Sequence, residues 1–275
     1  MATPGPASPL VLIRGGGDLA TGVVARLHRS GLPVLVTEIA RPLAVRRLVS
    51  LAEAVFEGEV LVEELIGRRI GAPEEAFAAL DLGAIPVLVD PEAASLRTLK
   101  PLVLVDGRMR KEPPELGLDA AEMVIGLGPG FVAGVNCHAA IETNRGHAMG
   151  RVLWQGSAEA DTAVPEPVAG IDVDRVLRAP KAGKMRGLAT LGSLARAGDP
   201  LFEVDGEIVR AGFDGAVRGL LHDEVAVEPG MKVGDLDPRG ELRYCREISD
   251  KSLAAGGGVL EAVLSQPDLR RRLLG

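Results

Sequence analysis

The sequence predicts an α/β protein: a Rossmann-like, mostly parallel sheet followed by a small all-β domain and a C-terminal helix. Two observations predict the parallel sheet. The apolar segments of the first part are short and continuous, and helix-like stretches separate them. Continuous apolar runs indicate strands that are buried on both faces, as in a parallel sheet covered by helices. The third observation is a change of texture from about residue 170, where glycines recur every few positions between short β-prone pieces.

The first part alternates strands and helices. The expected strands are Leu10–Ile13, Pro33–Val36, Ile85–Val89, Pro101–Val105 and Met123–Leu127, with a weaker one at Ala54–Phe56. The expected helices are Leu19–His28, Pro42–Leu51, Glu74–Leu80 and Ala93–Leu99. This alternation is typical of a doubly wound nucleotide- or cofactor-binding domain, which we place at residues 10–150.

Residues 151–250 are expected to form a β-rich, barrel-like domain. Its strand candidates are Leu201–Val204, Glu207–Ala211, Ala216–Leu221, Val225–Val227 and Met231–Val233. Asp205-Gly206 predicts a tight hairpin turn between the first two. The rhythm looks like the barrel-sandwich hybrid of biotinyl and lipoyl carriers, but no lysine stands at the hairpin tip, which favours a docking module over a carrier. Residues 251–275 are expected to contain a glycine-rich turn at Gly256–Gly258 and then a helix.

Composition excludes several classes of protein. The formal net charge is −7 and no concentrated basic face is visible, which argues against nucleic-acid binding. Two cysteines in 275 residues do not make a disulfide framework. The first nine residues lack the features of a signal peptide, and no apolar run reaches 18 residues, so we expect no membrane span. We therefore expect a cytoplasmic protein, and a homo-oligomer is compatible with the sequence.

A glycine-rich turn between the first strand and the first helix is the leading candidate site. Its residues are Gly15, Gly16, Gly17, Asp18 and Ala20, and they fit the Gly-x-Gly-x-x-Gly/Ala pattern of dinucleotide-binding folds. A helix N-terminus presents free N–H groups to an anion. Glu38, at the end of the second strand, is placed to accept hydrogen bonds from ribose hydroxyls. The alternative is that the glycines only permit the turn and that Glu38 is a solvated acid.

Other strand ends are polar or glycine-rich. With the glycine-rich turn, these strand ends are expected to line one cleft at the carboxyl edge of the sheet, which we call the mouth. The residues expected to line it are Asp90, Asp106, Arg108, Gly128 and Gly130. Ligands of open α/β sheets bind at the carboxyl ends of the strands, although each loop alone is equally compatible with an ordinary turn. Charged residues at the end of the β-rich domain either close over this cleft or pair with one another. These residues are Asp235, Asp237, Arg239, Asp250, Lys251 and Glu261.

A short segment after the sixth strand concentrates ligand-capable groups. Its members are Asn136, Cys137, His138, Glu142, Arg145 and His147. In a helix, His138 and Glu142 would share a face, and His138, Glu142 and His147 are the candidate metal ligands. The spacing matches no common zinc pattern, so a hydrogen-bonded structural helix is the alternative.

Several motifs together resemble one family. They are residues 13–22, 106–109, 126–131, 136–138, 142–147, 235–240, 248–251 and 256–262. These resemble YqeB-type accessory proteins, called selenium-dependent molybdenum hydroxylase system proteins, over residues 10–264. The Rossmann part of that family is similar to xanthine dehydrogenase accessory proteins, which help to install sulfurated molybdenum cofactor.

The resemblance implies an accessory or maturation protein for a molybdenum hydroxylase client. Its ligand would be molybdenum cofactor or a (di)nucleotide, held by the glycine-rich turn and the strand-end residues, with Asn136 and Arg145. Cys137 would be a sulfur-handling thiolate, its pKa lowered by His138 and Arg145; the alternative is a buried, inert cysteine. Two other functions stay open: an NAD(P)- or flavin-dependent oxidoreductase using the same pocket, and a metal-dependent hydrolase or transferase centred on His138, Glu142 and His147.

Overall fold

The computed structural model of the chain describes residues 8–110, 112–160, 175–223 and 225–275. The elements up to residue 157 are β1 (Ser8–Arg14), α1 (Asp18–Arg29), β2 (Val34–Glu38), α2 (Ala54–Glu57), β3 (Glu59–Val62), β4 (Leu65–Ile70), α3 (Ala76–Asp81), β5 (Ile85–Val89), α4 (Leu96–Leu99), β6 (Pro101–Asp106), β7 (Met123–Leu127), β8 (Val132–Ala133), β9 (Ala139–Ile141), β10 (Val152–Leu153) and β11 (Gly156–Ser157). None of the helices in these ranges or in the later described ones is long and apolar enough to cross a membrane.

The first part contains a large, mostly parallel sheet, as predicted. Its strand order is β10-β9-β7-β6-β1-β2-β5-β4-β3. All neighbours from β4 to β9 pair in parallel, and the edge strands β3 and β10 pair antiparallel. Strand β1 lies in the middle between β2 and β6, so the turn that follows β1 opens at the centre of the carboxyl edge of the sheet.

Burial on both faces explains the continuous apolar runs. In β1, Val11 and Ile13 belong to the core on the side of α1, whereas Leu10 and Leu12 belong to the core on the opposite side. All four are completely buried. Successive strand residues point to opposite faces, so a strand covered on both sides must be apolar at every position.

Two predicted elements were wrong. The run Ala54–Phe56 is not a strand but part of helix α2, and the missing strands come from the hairpin β3–β4. The stretch Pro42–Leu51 is not an α-helix, since it contains only the 3-10 turn Arg47–Val49 before a second one at Leu51–Glu53. Arg46 and Arg47 reach backbone carbonyls of the β-rich domain, and such tertiary bonds override helix propensity.

The β-rich domain and the C-terminal helices complete the described chain. Their elements are β12 (Val176–Arg178), β13 (Gly183–Gly187), β14 (Leu194–Ala195), β15 (Pro200–Val204), β16 (Glu207–Arg210), β17 (Gly215–Leu220), β18 (Ala226–Val227), β19 (Lys232–Asp237), α5 (Asp250–Leu264) and α6 (Pro267–Leu274). The strands form two antiparallel sheets, ordered β12-β19-β17-β14 and β16-β15-β13-β18, around a shared apolar core. The predicted hairpin is present, with positive φ angles of 44° at Asp205 and 84° at Gly206.

The division at residue 150 needs correction. Strand β10 pairs with β9 and strand β11 pairs with β8, so residues 152–157 belong with the first part. Residues 161–174 of the expected second domain lie outside the described residues. The C-terminal helices α5 and α6 also belong to the first part, because Val259 and Leu269 enter the core that α1 covers.

The expected turn at Gly256–Gly258 lies inside helix α5. A Cβ at Gly256 would collide with the backbone of Gly22 in α1, and one at Gly258 would collide with the carbonyl of Gly150. These glycines therefore permit close packing of α5 against α1 and its neighbours. The sequence signal was the same for both interpretations, since glycine serves turns and close contacts alike.

Candidate functional site

The glycine-rich turn has the predicted strand-to-helix geometry. Gly15 has a φ angle of +91°, and its amide donates to the carbonyl of Thr37 at 2.7 Å. Gly17 is the N-cap of α1, with an ordinary φ angle of −65° and no side-chain cap. At Gly15 a Cβ would lie 3.1 Å from Cγ of Arg108, whereas no atom lies within 4 Å of a Cβ built at Gly17. The turn is therefore closed at its first glycine and open at its third.

Glu38 is held inside the turn. Its Oε2 accepts a hydrogen bond from the amide of Gly16 at 2.7 Å, and its Oε1 accepts from the amide of Ile39 at 2.8 Å. Burial raises the pKa of Glu38, and the two amide donors oppose this rise. The Glu38 carboxylate was expected to bind a ribose, and the Gly16 amide a phosphate. In the structure these two groups are hydrogen-bonded to each other instead.

Ion pairs fill the mouth beside β1 and β6. Arg108 donates two hydrogen bonds from its side chain to Asp106, at 2.9 and 2.6 Å, and another to Glu115 at 2.7 Å. Arg14, which is 4% exposed, donates to the carbonyl of Pro91 at 2.8 Å. The hydrogen bond from Arg108 lowers the pKa of Glu115 to about 2. These charges therefore satisfy one another without any ligand.

The loops after β5 and β7 are also satisfied internally. Asp90 accepts hydrogen bonds from the amides of residues 94 and 95 at 2.9 and 2.8 Å, and so ties together the loop before α4. Asn136 accepts from the amide of Val132 at 2.8 Å and donates to the carbonyl of Gly130 at 3.0 Å. A carboxylate or amide that already ties its own loop has fewer bonds left for a ligand.

Two further predicted residues of the mouth have structural contacts. Gly128 has a φ angle of +76°, and a Cβ there would lie 2.5 Å from the Thr143 hydroxyl, so the position requires glycine. Arg145 forms a two-pronged pair with Asp250, at 2.6 and 2.9 Å, which joins the loop after β9 to the start of α5.

Cys137 has the surroundings of a structural cysteine. It is completely buried, and burial raises the pKa of its thiol to about 11. The expectation that His138 and Arg145 lower this pKa was wrong. Nδ1 of His138 accepts a hydrogen bond from the amide of Val124 at 2.9 Å, and Arg145 is paired with Asp250. The thiolate that sulfur chemistry requires is thus disfavoured here.

The segment that carries His138, Glu142 and His147 is not helical. Strand β9 separates His138 from Glu142, and His147 is exposed. The two carboxylate oxygens of Glu142 accept from the amides of Asn144 at 2.6 Å and Glu159 at 2.8 Å. Within the described ranges, His138, Glu142 and His147 do not form a group that could hold one ion.

The start of α1 differs from the mouth because it keeps room and unused positive charge. Asp18, the first residue of α1, accepts a hydrogen bond from Nη1 of Arg46 at 3.1 Å. This ion pair neutralises a carboxylate that would otherwise repel an anion bound at the glycine-rich turn. Nη2 of Arg46 donates to the carbonyl of Tyr244 at 3.1 Å. The Arg46 side chain is 10% exposed, and its Nε has no hydrogen-bond partner in the described chain.

Strand β19 brings more charge to this place. Buried Asp235 is bonded by Arg175 at 2.8 Å and by Nε of Arg218 at 2.7 Å. The neighbouring buried carboxylate, Asp237, pairs with Arg218 and Arg239. The prediction that charged residues at this end pair with one another is therefore confirmed for Asp237 and Arg239.

The side chain of Lys232, at the beginning of β19, has no hydrogen-bond or ion-pair partner among the residues that the structure describes. The residue keeps an accessible surface, yet surrounding protein lowers the pKa of its ammonium group, and the charges of Asp235 and Asp18 oppose that shift. Lys232 is therefore an exposed cation close to the carboxylates of Asp18 and Asp235. Sequence reasoning missed Arg46 and Lys232, since neither belongs to a motif and they come from separate parts of the chain.

The sequence comparison gives one named relative. The chain is 46% identical over 255 residues to "Uncharacterized protein YqeB" of Escherichia coli K12, a match that covers 93% of this chain and 47% of that protein. The chain therefore spans about half the length of the curated relative that it matches. This confirms the resemblance to YqeB in sequence, while the printed name carries no activity. No protein-family model matches the chain.

The structural comparison gives only faint likenesses. An aspartoacylase family protein from Mesorhizobium loti is 11% identical, with 86% of each chain covered and a TM-score of 0.28. The ectoine utilization protein EutE (DoeB) from Ruegeria pomeroyi is 14% identical, with 84% of this chain and 85% of that chain covered and a TM-score of 0.25. Likeness at this level carries no argument about activity.

Proposed function

We propose that this chain binds a small phosphate-bearing ligand at the start of α1, on the side that faces the β-rich domain. In this proposal the ligand is molybdenum cofactor or a nucleotide, and the protein is an accessory factor in the maturation of a molybdenum hydroxylase. The observation that carries the binding site is the open position at Gly17 near Lys232, whose ammonium group has no partner among the described residues. The pathway is supported by the resemblance alone.

Charge favours an anion at this place. Five cations lie around the start of α1 and β19, namely Arg46, Arg175, Arg218, Lys232 and Arg239. The described carboxylates of Asp18, Asp235 and Asp237 pair with the four arginines, whereas the side chain of Lys232 has no such partner among the described residues. The helix start adds a partial positive charge. A phosphate group bound there would supply Lys232 with an anionic partner.

The residues fit the phosphate of molybdenum cofactor better than its sulfur. Free amides of the first turn of α1, with Arg46 and Lys232, would hold the phosphate end of the pterin. Cys137 would not hold sulfur as a thiolate, since burial raises its pKa to about 11. The dinucleotide alternative has less support, because both carboxylate oxygens of Glu38 already accept backbone amides.

The β-rich domain is proposed as the docking surface for the client enzyme. Its two antiparallel sheets are compatible with a barrel-sandwich hybrid, and its hairpin tip carries Asp205-Gly206 instead of a carrier lysine. We place the protein in the cytoplasm, where its two buried cysteines would stay reduced.

A single methyl group tests the ligand site. Gly17→Ala keeps an allowed φ angle and directs its Cβ into the open position, so we expect the fold to survive and affinity to fall at least about tenfold, or about 1.4 kcal/mol. The matched control is Gly257→Ala, which also meets no atom within 4 Å and lies in the interior of α5. Calorimetric titrations would compare molybdenum cofactor, ATP, NAD⁺ and inorganic pyrophosphate with both variants.

The outcomes separate the ligand from the pathway. Gly17→Ala protein that binds every ligand as tightly as the unchanged chain contradicts the site. Preference for NAD⁺ favours the oxidoreductase alternative. The accessory role has its own assay, in which the chain and molybdenum cofactor are added to a molybdenum hydroxylase apoenzyme; no gain of activity over cofactor alone contradicts that role.

A further inference from the structure

A separate group of ligand-capable side chains lies where α2 meets the β-rich domain. Its members are Glu53, just before α2, Glu57, at the end of α2, and His222, in the segment after β17. One oxygen from each carboxylate and one imidazole nitrogen all lie within 4.8 Å of one another. Glu53 and Glu57 are four residues apart on consecutive helical turns, so their carboxylates share a face.

The imidazole of His222 is oriented by contacts with the first part of the chain. Its ring stacks on Phe56, with centroids 3.9 Å apart and an interplanar angle of 2°. Its Nε2 lies 3.8 Å from Oε1 of Glu57. Because Phe56 stands between the two glutamates in sequence, the short stretch of residues 53–57 supplies two carboxylates and the ring on which the histidine stacks.

Glu53 is positioned by a neighbouring arginine. The residue is 9% exposed, and its Oε1 accepts a hydrogen bond from Nη1 of Arg47 at 2.7 Å. Arg47 in turn donates from Nε to the carbonyl of Leu220 at 2.9 Å. Nothing in the described ranges bonds to Oε2 of Glu53, which remains for a further partner. Residues that orient a ligand in this way are a common feature of metal sites.

We propose that Glu53, Glu57 and His222 bind a divalent transition-metal ion, of the Zn²⁺ or Mn²⁺ type, that joins the two parts of the chain. One imidazole and two carboxylates suit such ions, and ligand bonds of about 2.0–2.2 Å require the three groups to close by roughly 1 Å. Glu57 is exposed and free to make that movement. A cavity of about 460 Å³ is lined by Glu53 and Arg47 among others, so that the Glu53 side of the group borders open space.

The test uses the full chain freed of metal and Zn²⁺ alone as the probe. Calorimetry is expected to show one Zn²⁺ per chain, and Co²⁺ substitution is expected to give visible absorption bands. His222→Gln should weaken Zn²⁺ binding at least about tenfold. The matched control, His147→Gln, removes an exposed histidine outside the group and should leave binding unchanged.

A second variant guards against misfolding of the first. Glu57→Gln changes an exposed side chain, so it should fold normally while losing both Zn²⁺ affinity and the rise in Tm that Zn²⁺ gives the unchanged chain. Absence of Zn²⁺ and Mn²⁺ binding by the unchanged chain overturns the proposal. So does binding that survives both His222→Gln and Glu57→Gln, or binding that is lost in His147→Gln.

Discussion

The two sides of the glycine-rich turn use charge in opposite ways. On the mouth side, Arg14 and Arg108 are matched by Asp106 and Glu115, and Glu38 occupies the Gly16 amide. On the side of the β-rich domain, Gly17 faces open space, and the Lys232 side chain has no partner among the described residues. The residues of one binding motif can thus have two roles, since some form structural contacts within the protein and others stay accessible to a ligand.

The comparison explains why strand-end polarity misled the sequence interpretation. Asp106 and Arg108 are two residues apart, so they can meet within their own turn, and the bonds between them consume both carboxylate oxygens. Lys232 begins an antiparallel strand, and no carboxylate in the described part of the chain pairs with it in this way. Mouth variants should therefore change stability, and variants at the start of α1 should change affinity.

The largest expected effect comes from the mouth. Asp106→Ala leaves Arg108 and the deeply buried Arg14 with only the half-exposed Glu115 as a carboxylate partner, so the free energy of unfolding should fall by about 3–5 kcal/mol. Denaturant unfolding measures this change. Asp81→Ala, at an exposed position on α3, is the control and should change little. Normal stability together with lost ligand affinity would place the binding site in the mouth after all.

The next effect concerns Lys232. Lys232→Ala removes one charged hydrogen-bond donor, worth about 1.5–3 kcal/mol, so pyrophosphate affinity should fall about 10- to 100-fold. The fold should hold within about 0.5 kcal/mol, as it should for the control Lys184→Ala, whose affinity stays unchanged. Because burial lowers the pKa of Lys232, affinity should also fall as pH rises through that lowered value. Equal affinities for the two variants would remove Lys232 from the site.

The smallest effect is the acid response of Glu115. Its pKa is lowered to about 2 by Arg108, so its contribution is complete above the unfolded pKa of about 4.3 and disappears as pH falls through about 2. Glu115→Gln should flatten the loss of stability between these values, by less than about 1 kcal/mol because the side chain is half exposed. Urea unfolding at several pH values measures the change, and parallel curves for both proteins would contradict it.

Elements defined by local patterns could be predicted from the sequence. The strands Ile85–Val89 and Met123–Leu127 have the predicted bounds, because burial on both faces leaves a continuous apolar signal. The run Ala54–Phe56 was ambiguous, since three apolar residues fit a strand and a helix equally well. Glycines 256–258 carried the same signal for a turn as for close packing of helices.

The candidate sites depended on long-range contacts and were harder to predict. The turn at Gly15–Gly17 follows from sequence, but the choice between its two sides depends on where Glu38 points. Arg46 reaches α1 from the loop after β2, whereas Lys232 comes near Asp18 only when the β-rich domain packs against the first part. The same is true of Glu53 and His222, which are far apart in sequence and adjacent in space.

The most direct test of the ligand site is an amide NMR titration of the full chain with inorganic pyrophosphate. We predict shifts at the amides of Gly17, Asp18 and Leu19, with none at Gly107, Arg108 or Gly128. Shifts confined to that second group, or none in either, would contradict the assignment of the anion to the start of α1.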